Sequence, residues 1–184
     1  MGMERWRHYY RARFFLLLNR PARALEGLQM ALEADPRFVR AATSLGYVYA
    51  LLGKDAEALS AFQRALELDA RNAAVLFDIG FIHDRKNQYE QAIDAFEKSV
   101  AINPRLDRAW YGLGLARAHR GQHAQAAAAL EHAAKLQPMN PHAWYALGMA
   151  YHCIGEREKL QVTIAHLDRF DPKMALRLTQ ESTA

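Results

Sequence analysis

Cysteine, proline and glycine are all scarce in this sequence, with one Cys, six Pro and ten Gly among 184 residues. A single thiol, Cys153, cannot close an intramolecular disulfide, so the fold does not depend on an oxidising compartment, and a cytoplasmic location is expected. The low Pro and Gly content, with no Ser/Gly/Pro-rich tract, excludes a linker protein and marks no domain boundary. No apolar run approaches the length of a bilayer span. The stretch RARFFLLLNRPA is basic and then apolar, but its core from Phe14 to Leu18 is too short for a secretory signal, and Arg20 follows it. Trp6 stands where an N-myristoylation site wants Ser or Thr. Glycine-rich phosphate loops, HExxH and GxSxG are also missing.

Charge of one sign is scarce too, and the modest surplus is unevenly placed. The formal charge is +4, and residues 1–40 carry all of the excess, with eight Arg against four Asp and Glu; the remainder holds sixteen basic and sixteen acidic residues. A nucleic-acid binder needs a basic stripe along its working face, so this balance argues against one. Candidate chemistry is thin. Cys153 lies beside His152 and in reach of the segment bearing His142, but no third partner is placed for a thiol nucleophile, which makes it a structural cysteine. His119 and His123 have a metal-like spacing that Gly121 interrupts, and no Cys/His quartet exists. The expectation is therefore no catalytic residue, no metal and no cofactor.

What the sequence does have is repetition. AWYGLG at 109–114 returns as AWYALG at 143–148, thirty-four residues later. Rows of that length starting at Arg5, Val39, Ala73, Asp107 and Pro141 align small residues in two columns. The eighth reads Ala12, Gly46, Gly80, Gly114, Gly148, and the twentieth reads Ala24, Ala58, Ala92, Ala126, Leu160. Small side chains on two successive helices let their backbones approach. Between them, the fifteenth column (Asn19, Gly53, Asn87, Gly121, Gly155) holds residues that tolerate the left-handed conformation ending a helix. The thirty-second column (Pro36, Ala70, Pro104, Pro138, Pro172) stops the second helix. Large apolar residues fill the seventh column (Leu45, Ile79, Leu113, Leu147) and the twenty-fourth (Leu28, Phe62, Phe96, Leu130, Ile164). Ala31, Ala65, Ser99 and Ala133 at the twenty-seventh keep the next hairpin close. Each row is a helical hairpin, and one hairpin cannot bury such a face alone, so neighbours must share a continuous core.

This pattern resembles the tetratricopeptide repeat, whose signature is met by Trp110, Leu113, Gly114, Ala126, Ala133 and Pro138 in the fourth row and by Trp144, Leu147, Gly148 and Tyr151 in the fifth. The resemblance covers residues 5–172 as one domain with repeats 5–38, 39–72, 73–106, 107–140 and 141–174. It implies an all-α, right-handed superhelical solenoid of five hairpins, with 173–184 as a capping helix and tail. Three departures are informative. His8 and Arg11 occupy apolar positions of the first row, as in a capping repeat with one face in water. Leu160 in the small-residue column should splay the fifth hairpin. Lys173 to about Gln180 should form a helix covering the last repeat.

By the same resemblance, positions two, five, nine and twelve of each first helix line a concave wall, their spacing placing them on one helix face. The core columns being filled by other residues, aromatics at five and nine should be partly exposed and able to anchor a ligand. The expected groove residues are Tyr9, Arg13, Arg40, Tyr47, Phe77, Phe81, Arg108, Tyr111, Tyr145 and Met149, the arginines suiting a carboxylate. The Lys/Asn clamp by which family members hold chaperone C-termini is missing: position five reads Tyr9, Thr43, Phe77, Tyr111, Tyr145 and position six Tyr10, Ser44, Asp78, Gly112, Ala146. The asparagine ladder of nucleotide-sugar transferases of this repeat type is missing too. The expected function is a non-catalytic scaffold or adaptor for a protein or peptide segment. The alternatives are an RNA-binding helical repeat, an accessory domain of an enzyme or assembly, and self-association through an end whose FFLLL run is incompletely capped.

Overall fold

A computed structural model describes residues 2–183. These form eleven α-helices and, among the described residues, no strand: α1 Gly2–Leu17, α2 Pro21–Ala34, α3 Val39–Leu51, α4 Asp55–Leu68, α5 Ala73–Arg85, α6 Tyr89–Ile102, α7 Asp107–His119, α8 His123–Leu136, α9 Pro141–Ile154, α10 Arg157–Asp168 and α11 Pro172–Thr183. From α3 to α9, the odd-numbered helices begin one sequence period apart. The turns are built as the fifteenth column requires: Asn19, Gly53, Asn87, Gly121 and Gly155 all have positive φ, from 53° to 77°. Asparagine and glycine reach that region at the least steric cost, so the chain reverses directly after each first helix.

The chain divides into two compact units, one ending at Ile82 and the other beginning at His83. In the first, α1 packs on α2, α2 on α3 and α3 on α4. The core is the intersection of the small and large columns, with Ala12, Ala24, Leu28, Ala31, Ala58, Phe62 and Ala65 all fully buried. A Cβ at Gly46 would lie 2.5 Å from the Phe62 ring, so glycine here is what lets the α3 and α4 axes close. Phe14, Leu17 and Leu18 of the FFLLL run are exposed, while Phe15 and Leu16 are partly buried against the core.

In the second unit α6 to α9 pack in chain order, with Ala126, Leu130, Ala133, Ala143 and Leu147 in the core. A Cβ at Gly114 would stand 2.5 Å from Leu130, one row's first helix against its own second helix. The fifth row breaks this rule. A Cβ at Gly148 would meet Leu178 of α11 at 2.4 Å, and Ile164, the residue in Leu130's column, is only partly buried. Leu160, with its bulk in the small-residue column, is buried at the contact between α9 and α10, which is looser than that between α7 and α8. α11 packs on both α9 and α10 and buries Ala175 and Leu178. Pro172 also has a different role from the one its column implies. α10 has ended at Asp168, and the proline is the first residue of α11, where its missing N–H costs nothing.

Candidate functional site

The second unit contains an open cavity of about 320 Å³ where first helices α7 and α9 meet α11. Tyr111 and Leu115 line it from α7, Tyr145, Met149 and Cys153 from α9, and Met174 and Arg177 from α11. Leu130 and Ala150, both buried, form its floor, and His123 and His142 stand at its margin. The first-helix residues come together because their three- and four-residue spacings place them on one face of each helix. Two tyrosines and two methionines give a wall with large apolar area, polar tips and adaptable thioethers.

The electrostatics are those of a half-dry site. Tyr111 is half-buried, and desolvation pushes its hydroxyl above the usual tyrosine range. Tyr145 is shifted in the same direction, by burial first and then by its hydrogen bond to Glu181, whose carboxylate accepts from the phenol. Arg177 stacks with its guanidinium 4.9 Å from the Tyr145 ring centroid and pairs with Glu181 at 2.7 Å. α11 thus holds one of the site's rings from below and behind through both a cation–π contact and a hydrogen bond. Elsewhere, the carboxyl of Asp84 near the end of α5 is raised by burial, an effect that His119 opposes.

The expected groove residues are not all presented alike. Tyr111, Tyr145 and Met149 line one cavity. Arg108 is exposed on α7. In the first unit Tyr47 and Phe81 are about half exposed, and Phe77 stacks on Phe81 with centroids 6.3 Å apart. Arg13 is exposed; Arg40 is exposed too, with its guanidinium 5.7 Å from the Trp6 ring centroid. Tyr9 departs from the expected exposure. It keeps only 7% of its surface, because Trp6, Tyr10 and Phe38 surround it at centroid distances of 5.2 to 5.9 Å. The cause is Phe38, which fills the turn before α3 and gives the first helix an aromatic neighbour. The capping helix expected from Lys173 is present as α11, but the sequence assigns it no part in the groove, and its Met174, Arg177 and Glu181 join the candidate site.

Among the described residues no group of three or more His, Cys, Asp and Glu side chains is placed to hold a metal ion, and Cys153 is exposed. Among the described residues no helix is long and apolar enough to cross a membrane.

Tandem helical hairpins with small-residue contacts between helices, left-handed turns and an apolar wall on the first helices define a helical-repeat protein. Two tetratricopeptide repeat models match, over residues 38–105 and 85–150, and the chain belongs to the tetratricopeptide repeat proteins. No curated protein matches the chain by sequence. Among solved structures it is similar to a MamA protein at 24% identity, over 95% of this chain and 96% of that one, with a TM-score of 0.83. It is similar to PilF of Pseudomonas aeruginosa at 21% identity, over 97% of this chain and 84% of that one, with a TM-score of 0.82. YrrB, described as a tetratricopeptide repeat protein with an unusual peptide-binding site, is 23% identical over 94% of this chain and 90% of that one, with a TM-score of 0.78. These likenesses show the fold, an all-helical solenoid.

Proposed function

We propose that the protein is a non-catalytic scaffold that holds a peptide segment of a partner protein, with the cavity on α7, α9 and α11 as its principal seat. The observation that carries this is the pairing of Tyr111 and Tyr145 with Met149 and Met174 around one open, apolar hollow of about 320 Å³. Such a hollow accepts one or two apolar side chains, while His142 and Arg177 in its lining, and Arg108 exposed on α7, offer donors to the peptide backbone or a carboxylate. The exposed rings Tyr47 and Phe81 of the first unit are secondary anchors on that unit's own surface, with Arg13 and Arg40 as polar neighbours. A peptide-binding site on YrrB, a protein of the same fold, is in keeping with this use.

The test is affinity capture from native lysate by the wild-type chain, the Tyr111→Ala/Met149→Ala variant and the Arg108→Glu/Tyr111→Ala variant, each checked for unchanged helicity. Partners retained by the wild type and lost by both variants, with binding reproduced by a synthetic peptide from the partner, support the reading. Equal capture by all three proteins removes the cavity as the binding seat. Captured RNA, with binding that weakens steeply in salt, replaces the protein-scaffold reading.

A further inference from the structure

The outward face of α1 is a stripe of large apolar side chains that this chain leaves uncovered. Met3 and Leu17 keep 88% and 84% of their surface, and Tyr10 and Phe14 keep 56% each. Their spacings of seven, four and three residues put them on one side of the helix, opposite buried Ala12. Arg13 is exposed along one edge of the stripe, and Arg7 and Arg11 are exposed along the other. Glu4 is the single acidic residue of α1, and Arg5, on the inner side, is paired with Asp35.

The stripe is not a seat for another hairpin of the same kind. At the tenth position of the first helix Val48, Ile82, Ala116 and Ala150 are all buried, whereas the first-row residue is the exposed Phe14. At the third position, the later rows have only Ala or Val, and the first row has Arg7. A charge there would be buried unpaired by a stacked repeat.

We propose that this face docks on an anionic phospholipid surface. From Met3 to Leu17 the stripe runs about 21 Å at the helical rise. That length lies flat in a bilayer interface, with the rings and Met3 and Leu17 in the acyl boundary and Arg7, Arg11 and Arg13 on headgroup phosphates. Charge complementarity identifies the occupant: three exposed arginines, Arg7, Arg11 and Arg13, flank the stripe, and α1 carries one acidic residue, Glu4. An acidic leaflet matches these arginines, whereas a second copy of α1 would bring arginine against arginine. The inference is independent of the cavity reading.

The test is flotation of the full chain with vesicles of phosphatidylcholine alone or mixed with phosphatidylglycerol. Binding is expected to the mixed vesicles at about ten times or more the level on phosphatidylcholine, and to fall with added salt. Phe14→Glu/Leu17→Glu should lower it about tenfold or more, and Arg7→Gln/Arg11→Gln should lower it several-fold; both sets lie on the surface and should leave helicity unchanged. Tyr111→Ala should float like the wild type, which separates this face from the cavity. No flotation, equal flotation on both vesicles, or flotation that both α1 variants leave intact overturns the proposal. So does a lipid-free dimer that Phe14→Glu/Leu17→Glu converts to monomer while flotation persists.

Discussion

The α7–α8 and α9–α10 hairpins begin with nearly the same words, AWYGLG and AWYALG, and are packed differently behind them. In both, the Trp indole N–H donates to a proline carbonyl six residues earlier at 2.8 Å, Trp110 to Pro104 and Trp144 to Pro138. In both, the indole lies against a second-helix histidine, Trp110 stacked on His132 at 4.3 Å and Trp144 tilted by 40° on His166 at 4.1 Å between centroids. Yet Gly114 faces Leu130 of its own hairpin and Gly148 faces Leu178 of α11. The difference traces to one column. Ala126 lets α8 close on α7, whereas Leu160 holds α10 off α9, and the opened contact is filled by a side chain from the following helix. The local words set the front of each hairpin, and the residue twelve positions after the glycine sets what the glycine meets.

The largest test of this contrast is the pair Gly114→Val and Gly148→Val. At Gly114 the new side chain would drive into Leu130, fully buried on a helix with packed neighbours on both sides, and a loss of about 3 kcal/mol or more is expected. At Gly148 the obstructed residue belongs to α11, which can lift away. The expected loss in urea denaturation is smaller, with hydrogen exchange speeding up selectively in α11. Equal global losses, with no selective exchange in α11, would show that α11 is no more displaceable than α8.

Leu178→Ala approaches the same contact from the other side. Leu178 is fully buried, and truncating it should cost about 2–3 kcal/mol. It should also loosen the Arg177 and Glu181 contacts to Tyr145, so that the Tyr145 phenol titrates closer to the ordinary tyrosine value. Ile164→Ala, at the column that Leu178 has displaced, should cost less because Ile164 is only partly buried. The opposite ranking would restore the regular hairpin for the fifth row.

Much of this fold was legible because the repeat encodes it redundantly. The fifteenth column located all five left-handed turns, and the eighth, twentieth and twenty-fourth columns located the buried contacts of the first, second and fourth rows. The reading ran out where a residue's neighbour comes from outside its own row. Tyr9 is buried by Phe38, which lies in the turn ahead of the next row's first helix. Leu178 lies in the expected capping helix, but its contact with Gly148 comes from outside the fifth row. The site was legible to the same extent: a first-helix face marked Tyr111, Tyr145 and Met149, and nothing in that face announced Met174 or Arg177.

The indole contacts predict a smaller and symmetric effect. Trp110→Phe and Trp144→Phe each remove one hydrogen bond to a proline carbonyl and part of a ring contact, a loss of about 1 kcal/mol apiece. The two values should agree closely, since the fronts of the hairpins are built alike. A clear difference in chemical denaturation would mean that the altered rear packing reaches forward through α9.

The smallest effect separates the two hairpins by pH. At the eleventh position of its first helix the fourth row has Arg117, paired with Glu97 at 2.6 Å, and the fifth has Tyr151, whose hydroxyl donates to Glu131 at 2.6 Å. The Tyr151 hydrogen bond, ahead of the charge of Lys135, holds the Glu131 carboxyl below the usual glutamate range. A carboxyl with a depressed folded pKa adds stability that is fully present above its unfolded value of 4.5 and is lost as pH falls through the folded value. Tyr151→Phe should therefore cost about 0.5 kcal/mol at neutral pH, a figure reduced for solvent screening, and nothing once Glu131 is protonated. Urea midpoints of wild type and variant should converge on acidification from pH 6, and added salt should leave their neutral-pH gap nearly unchanged. Arg117→Met, which removes an ion pair, should show a gap that salt narrows. If the Tyr151→Phe gap is as salt-sensitive as the Arg117→Met gap, the fifth row's contact is not the neutral-donor bond that distinguishes it from the fourth.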